Sequence, residues 1–175
     1  MTQPILRVLE CRPDSYQNWY QQGNFYRNRG WYQEALISYE KALEYYPNDY
    51  WSWYRRGKVL ELLSHYQEAN QSYGKACELK PRNYWSWYEQ GCLNLKYLED
   101  YGQSIICFNQ ALSINPDDYW ATYRLGDVWR LWGDYTTAIS YYEEALTIRP
   151  GDYWASFRLD ELFYCYDNLV NLEMS

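Results

Sequence analysis

Apolar positions in this chain recur at helical spacing. Ala35, Tyr39 and Ala42 stand at i, i+4 and i+7, and Ala138, Tyr142 and Ala145 repeat the stripe, which predicts an amphipathic helix in each place. A proline closes each such segment, at Pro47, Pro81, Pro116 and Pro150, because its ring denies the helix a donor and clashes with the preceding turn. Ahead of each stripe runs another helical pattern. It opens after a short polar residue, Asp49, Asn83, Asp118 or Asp152, whose side chain can accept from an otherwise unpaired backbone N–H. Gly30, Ser64 and Gly133 mark the turn between the two helices in three of four copies.

The spacing of these marks is a repeat. Gly23, Gly57, Gly91 and Gly126 are separated by 34, 34 and 35 residues, and Tyr32, Tyr66, Tyr101 and Tyr135 by 34, 35 and 34. One period thus occurs four times with a single inserted residue between Gly91 and Tyr101, the signature of stacked supersecondary units. The ends keep the register. Pro13 takes the proline position with Ile5, Val8 and Leu9 on the stripe before it, and residues 153–160, YWASFRLD, form a fifth first helix with Asp160 in place of the glycine.

These residues resemble the tetratricopeptide repeat, W-x2-L-G-x2-Y, then A-x3-F, then P. The first copy matches with Trp19, Gly23, Tyr26, Ala35, Tyr39 and Pro47; the second with Trp53, Gly57, Ala69, Tyr73 and Pro81. The third matches with Trp87, Gly91, Phe108 and Pro116, and the fourth with Leu125, Gly126, Ala138, Tyr142 and Pro150. Thr122 departs from the signature tryptophan, Ser104 from an alanine, and Asn94 falls near an apolar position. The resemblance implies an all-α, right-handed superhelical solenoid of antiparallel helix pairs. Its four repeats would span 16–49, 50–83, 84–118 and 119–152, with a half-repeat helix in 1–15 and a capping helix and tail in 153–175. A longer array cut at both ends reads the same way.

With about 100° per residue and Tyr50 at zero, Trp53, Gly57 and Leu60 fall at about 300°, 340° and 280°. That face packs on the second helix. Trp51, Tyr54 and Lys58 point elsewhere, centred near about 70°, on what is the ligand-bearing concave wall in the resembling family. The equivalent residues are Tyr20, Asn24 and Arg27; Trp85 and Tyr88; Trp120, Tyr123 and Asp127; and Trp154. The competing structural account is that these rings pack on the next repeat and strengthen the interface between units. Both can hold, with one ring face packed and the other free.

Composition sharpens this. The 175 residues suit one ordinary domain, and they include 23 tyrosines and 10 tryptophans, side chains that favour interface hot spots. A net charge of −7 argues against nucleic acid or an anionic membrane surface as partner. No run is apolar enough to insert into a membrane, and the opening residues lack a secretion signal, so a cytoplasmic chain is expected. Five cysteines without CxxC spacing and a single histidine, His65, suggest no metal and no cofactor. Carboxylates are scattered without a paired pocket, so no catalytic residues are expected.

The expected function is a non-catalytic scaffold, an adaptor or assembly chaperone, binding a protein or peptide segment that is apolar, aromatic or proline-bearing. A small ring-bearing ligand, or self-association through the end helices, are the alternatives. Arg27 and Lys58 towards one end of the wall and Asp127 and Glu161 towards the other could orient a polarised segment. The lysine–asparagine clamp by which some members of the family hold acidic chaperone tails is not carried over, since Tyr20 stands at the first clamp lysine although Asn24 fits.

Overall fold

The computed structural model describes residues 15–173, with side chains as far as Tyr164. Among these there are nine α-helices and no strand. They are α1 (Tyr16–Asn28), α2 (Tyr32–Tyr45), α3 (Tyr50–Leu62), α4 (Tyr66–Leu79), α5 (Tyr84–Leu93), α6 (Tyr101–Ile114), α7 (Tyr119–Trp132), α8 (Tyr135–Ile148) and α9 (Tyr153–Glu173). Short turns fold α1 on α2, α3 on α4, α5 on α6 and α7 on α8, while α2 also meets α3, α6 meets α7 and α8 meets α9. Helices α1–α4 belong to one compact unit that ends at Pro81, and α5–α9 to another that begins at Arg82.

Helix ends follow from the residues that mark them. The Asp49 carboxylate accepts from the Ser52 N–H at 2.6 Å, Asp118 from Ala121 at 2.8 Å and Asp152 from Trp154 at 3.0 Å; each such cap is worth about 1 kcal/mol. Gly30 and Gly133 take left-handed backbone (φ 77° and 93°) at the turns, where a side chain would be strained. Ser64 adopts the same conformation, and so does Glu99 in the third copy, whose turn carries no sequence mark.

Within each pair the centre is an aromatic ring. Tyr39, Tyr73, Phe108 and Tyr142, all from second helices, are fully buried. Each ring lies against a first-helix glycine so closely that a Cβ on Gly23, Gly57, Gly91 or Gly126 would meet a ring carbon at 2.6 to 2.8 Å. The glycine therefore makes room for a ring, not only for a neighbouring backbone. Trp53 is only half-buried; its indole N–H donates to the Pro47 carbonyl at 2.7 Å and ties α3 to the end of the preceding repeat.

The departures from the repeat have local explanations. The inserted residue is absorbed by a π-helical segment, Asn94–Leu98, whose wider turn holds one extra residue. Ser104 is fully buried and donates to the Gly91 carbonyl at 2.7 Å, one turn ahead of that segment. Thr122 is also fully buried and bonds the Asp118 carbonyl at 2.9 Å. Trp129, two turns on, packs against two core clusters of the second unit.

At the C-terminal side α9 is one continuous helix of 21 residues. The helix expected within residues 1–15 lies outside the described residues except for Ser15, whose Oγ accepts from the Asn18 N–H and opens α1.

Candidate partner-binding surface

The second residue of α3, α5, α7 and α9 is tryptophan, and all four indoles are exposed: Trp51 43%, Trp85 57%, Trp120 44% and Trp154 57%. Each stands edge-on to the tyrosine before it, with centroids 4.9 Å apart at Tyr50–Trp51, 5.3 Å at Tyr84–Trp85, 5.0 Å at Tyr119–Trp120 and 5.3 Å at Tyr153–Trp154. An edge contact fixes the orientation of an indole and leaves area for another group. In the first repeat the position holds Gln17, also exposed.

The tyrosines three residues further on behave differently. Tyr54 and Tyr123 are buried, and Tyr20 and Tyr88 half-buried, so of the rings expected along the wall these serve packing. Tyr54 stacks on Tyr50 at 6.0 Å and tilts against the core ring of Tyr73 at 6.0 Å. Tyr123 does the same between Tyr119 at 5.9 Å and Tyr142 at 5.4 Å. The cause is reach: a residue one turn into the first helix lies over the buried ring of its own repeat, whereas one at its first turn projects past it.

The expected polar residues divide in the same way. Asn24 accepts from the Tyr39 hydroxyl at 2.8 Å and Asp127 from the Tyr142 hydroxyl at 2.9 Å. Asp127 is itself buried, with Arg124 at 3.0 Å and Arg158 at 3.7 Å, so it belongs to the interior and not to a charged wall. In the second repeat Lys58 replaces the acceptor, and Tyr73 turns to Glu61 at 2.9 Å, which Lys58 approaches at 3.9 Å. Arg27 is half-buried and donates to Asn28 at 3.0 Å. Burial, foremost, raises the Tyr39 phenol to about 12 and pushes the Tyr142 phenol well above its ordinary range, where Asp127 adds to the effect.

One set of contacts joins consecutive repeats. The Tyr84 hydroxyl donates to Asp118 at 2.7 Å and the Tyr119 hydroxyl makes the same bond to Asp152, so a capping carboxylate also latches the helix of the previous repeat. The sequence signal was a tyrosine one period ahead of an acidic cap. Burial, then this bond, raises the Tyr84 and Tyr119 phenols, and the Tyr119 hydroxyl is the main cause of a lowered Asp152 carboxyl.

Among the described residues no group of three or more His, Cys, Asp or Glu could hold a metal ion, and no helix is long and apolar enough to cross a membrane. Three tetratricopeptide-repeat family models match, over residues 16–49, 38–71 and 93–153, together more than half of the chain. The chain belongs to the tetratricopeptide-repeat family. No curated protein matches this tetratricopeptide-repeat protein. Among solved structures it is similar to MamA, at 24% identity over 83% of this chain and 84% of that one, with a TM-score of 0.78. A MamA fragment from Desulfovibrio magneticus RS-1 aligns at 22% identity over 90% and 88%, with a TM-score of 0.81. YrrB, a tetratricopeptide-repeat protein with an unusual peptide-binding site, aligns at 21% over 95% and 85%, with a TM-score of 0.77. At these identities the likeness is one of fold.

Proposed function

We propose that this protein is a non-catalytic cytoplasmic scaffold, an adaptor or assembly chaperone, that holds an extended segment of a partner protein against its repeated tryptophans. The observation that carries the reading is the exposure of Trp51, Trp85, Trp120 and Trp154 at one position of successive repeats. Single exposed rings are ordinary, but large apolar side chains left open in register mark interaction surfaces. The peptide-binding site of the structurally similar YrrB supports the same reading. Neighbouring packed helices sit about 8–10 Å apart, so within the second unit an extended segment rising about 3.3 Å per residue offers one side chain to each of Trp85, Trp120 and Trp154 every three residues or so. That period suits polyproline II, and indole faces suit proline, aromatic and apolar side chains.

The experiment is a peptide-library selection on the full chain, followed by affinity measurement by fluorescence anisotropy. Trp85→Ala with Trp120→Ala is expected to weaken the selected peptides by at least about thirtyfold, a single hot-spot truncation of about 2 kcal/mol, with helix content unchanged. Equal affinity in the double variant removes the proposal. Self-association is the second reading, favoured by the exposed Tyr153, Phe157 and Phe163 of α9; light scattering over a concentration series reads it directly.

A further inference from the structure

In the first, second and fourth repeats the residue just before the proline, Tyr46, Lys80 or Arg149, returns to the first turn of that repeat, and what it does there differs from copy to copy. Lys80 places its ammonium 4.9 Å from the Tyr50 ring centroid and 5.7 Å from that of Trp51. Arg149 places its guanidinium 4.2 Å from Tyr119 and 5.4 Å from Trp120. In both repeats the tyrosine and the edge-on tryptophan form a corner with a cation within about 6 Å of each ring, the range in which the ring quadrupole attracts it. Arg149 also lies 3.9 Å from Asp152, which accepts from the Tyr119 hydroxyl. The corner that Arg149 occupies therefore has three walls: two rings and a carboxylate.

The third repeat has the walls without the cation. Tyr84 and Trp85 meet edge-on at 87°, and Asp118 accepts from the Tyr84 hydroxyl just as Asp152 does from Tyr119. The residue before Pro116 is Asn115, whose amide reaches Asp118 at 3.3 Å but carries no charge. Among the described residues no cation lies over either ring, and Asp118 has no ion pair. Trp85 is correspondingly more exposed than its occupied counterparts, 57% against 43% for Trp51 and 44% for Trp120.

We propose that the Tyr84–Trp85–Asp118 corner is a binding site for one cationic side chain of a partner, arginine by the geometry of Arg149. The chain's net charge of −7 favours a basic approach. The inference rests on the proposed function only in taking Trp85 as a partner contact; the corner can be tested without any partner. The probe is N-acetyl-arginine amide, with the neutral isostere N-acetyl-citrulline amide as comparison, titrated at low salt into the full chain while the tryptophan indole N–H resonances are followed by NMR. The Trp85 signal is expected to move with the arginine probe and not with citrulline, and the Trp120 signal to stay still because Arg149 fills its corner. Asn115→Arg is expected to abolish the Trp85 response, and Arg149→Asn to make Trp120 respond; dispersion of the other indole signals reports that each variant is folded. A Trp85 response that is absent, equal for both probes, or unchanged in Asn115→Arg overturns the site, and so does a Trp120 response in the unaltered chain. A protein that failed this test and still lost peptide affinity on tryptophan replacement would keep the scaffold reading and lose only the cation site.

Discussion

At the scale of single residues, each buried ring at the centre of a helix pair is matched to the polar character of the helix it faces. Tyr39 and Tyr142 find Asn24 and Asp127 at the same repeat position, Tyr73 finds Glu61, and where the ring is Phe108 that position holds Cys92. A buried hydroxyl without an acceptor costs about 1–3 kcal/mol, so the pairing is enforced. Asp127→Ala should then cost about 2 kcal/mol or more, because it strands the Tyr142 hydroxyl and takes a carboxylate from Arg124 and Arg158. Tyr142→Phe should cost only about 1 kcal/mol, the third repeat being a natural instance of phenylalanine in that place. Urea denaturation of both variants and the double variant checks this, with less than additive loss expected for residues in one network. Both halves of the pairing stand in the sequence, yet a helical wheel assigned Asn24 and Asp127 to an open wall, because periodicity gives the direction of a side chain and not what reaches over to meet it.

Among elements, the order of the described helices and nearly all their ends were legible, because each end is written in a residue with a local mechanism: aspartate or asparagine at the start, glycine in a left-handed turn, proline after the close. The third repeat was harder to read. A single inserted residue fits a loop or a helix equally well, and only packing decides; here Leu95 belongs inside, which a π turn permits and a longer loop would not. Ser104 goes with that turn. Three of four repeats carry alanine at its position, so a consensus argument makes Ser104→Ala stabilising. The hydrogen bond to the Gly91 carbonyl predicts the opposite, a loss of about 1 kcal/mol because alanine cannot replace it, and thermal or urea unfolding gives the sign. Between repeats, Tyr84→Phe removes a bond to a charged acceptor worth about 1.5–3 kcal/mol. It leaves the cap on α7 in place, since Ala121 still donates to Asp118. Its effect should therefore be a loss of cooperativity between neighbouring pairs, seen as a broadened transition, with helix content in native buffer unchanged.

For the whole molecule, stability in a stack of this kind is the sum of pair interiors and nearest-neighbour contacts, and tyrosine serves in both. That shared use is why the sequence could not tell exposed rings from packed ones: the wheel put Trp51 and Tyr54 on one face, and which of the two is covered depends on the Tyr50 and Tyr73 rings beside them. It also gives the protein a pH signature. The phenols of Tyr16, Tyr39, Tyr84, Tyr88, Tyr119 and Tyr142 are all raised, first by burial, Tyr39 to about 12 from an ordinary 10.0. A raised phenol means that the fold favours the protonated form. Its contribution is complete below the unfolded value of about 10 and declines as pH climbs towards the native one. Asp152 runs the other way: its lowered carboxyl stabilises above the unfolded value of about 4 and ceases to do so as pH falls through the native one. Stability should accordingly hold level through neutral pH and collapse steeply above about pH 10, as several phenols ionise together with unfolding. Far-ultraviolet circular dichroism and tyrosinate absorbance recorded on the same alkaline series should change in a single step for this buried set. Phenolate appearing in full while helix remains intact would show that these hydroxyls are open to solvent, and that the latches from Tyr84 to Asp118 and from Tyr119 to Asp152 do not hold neighbouring repeats together.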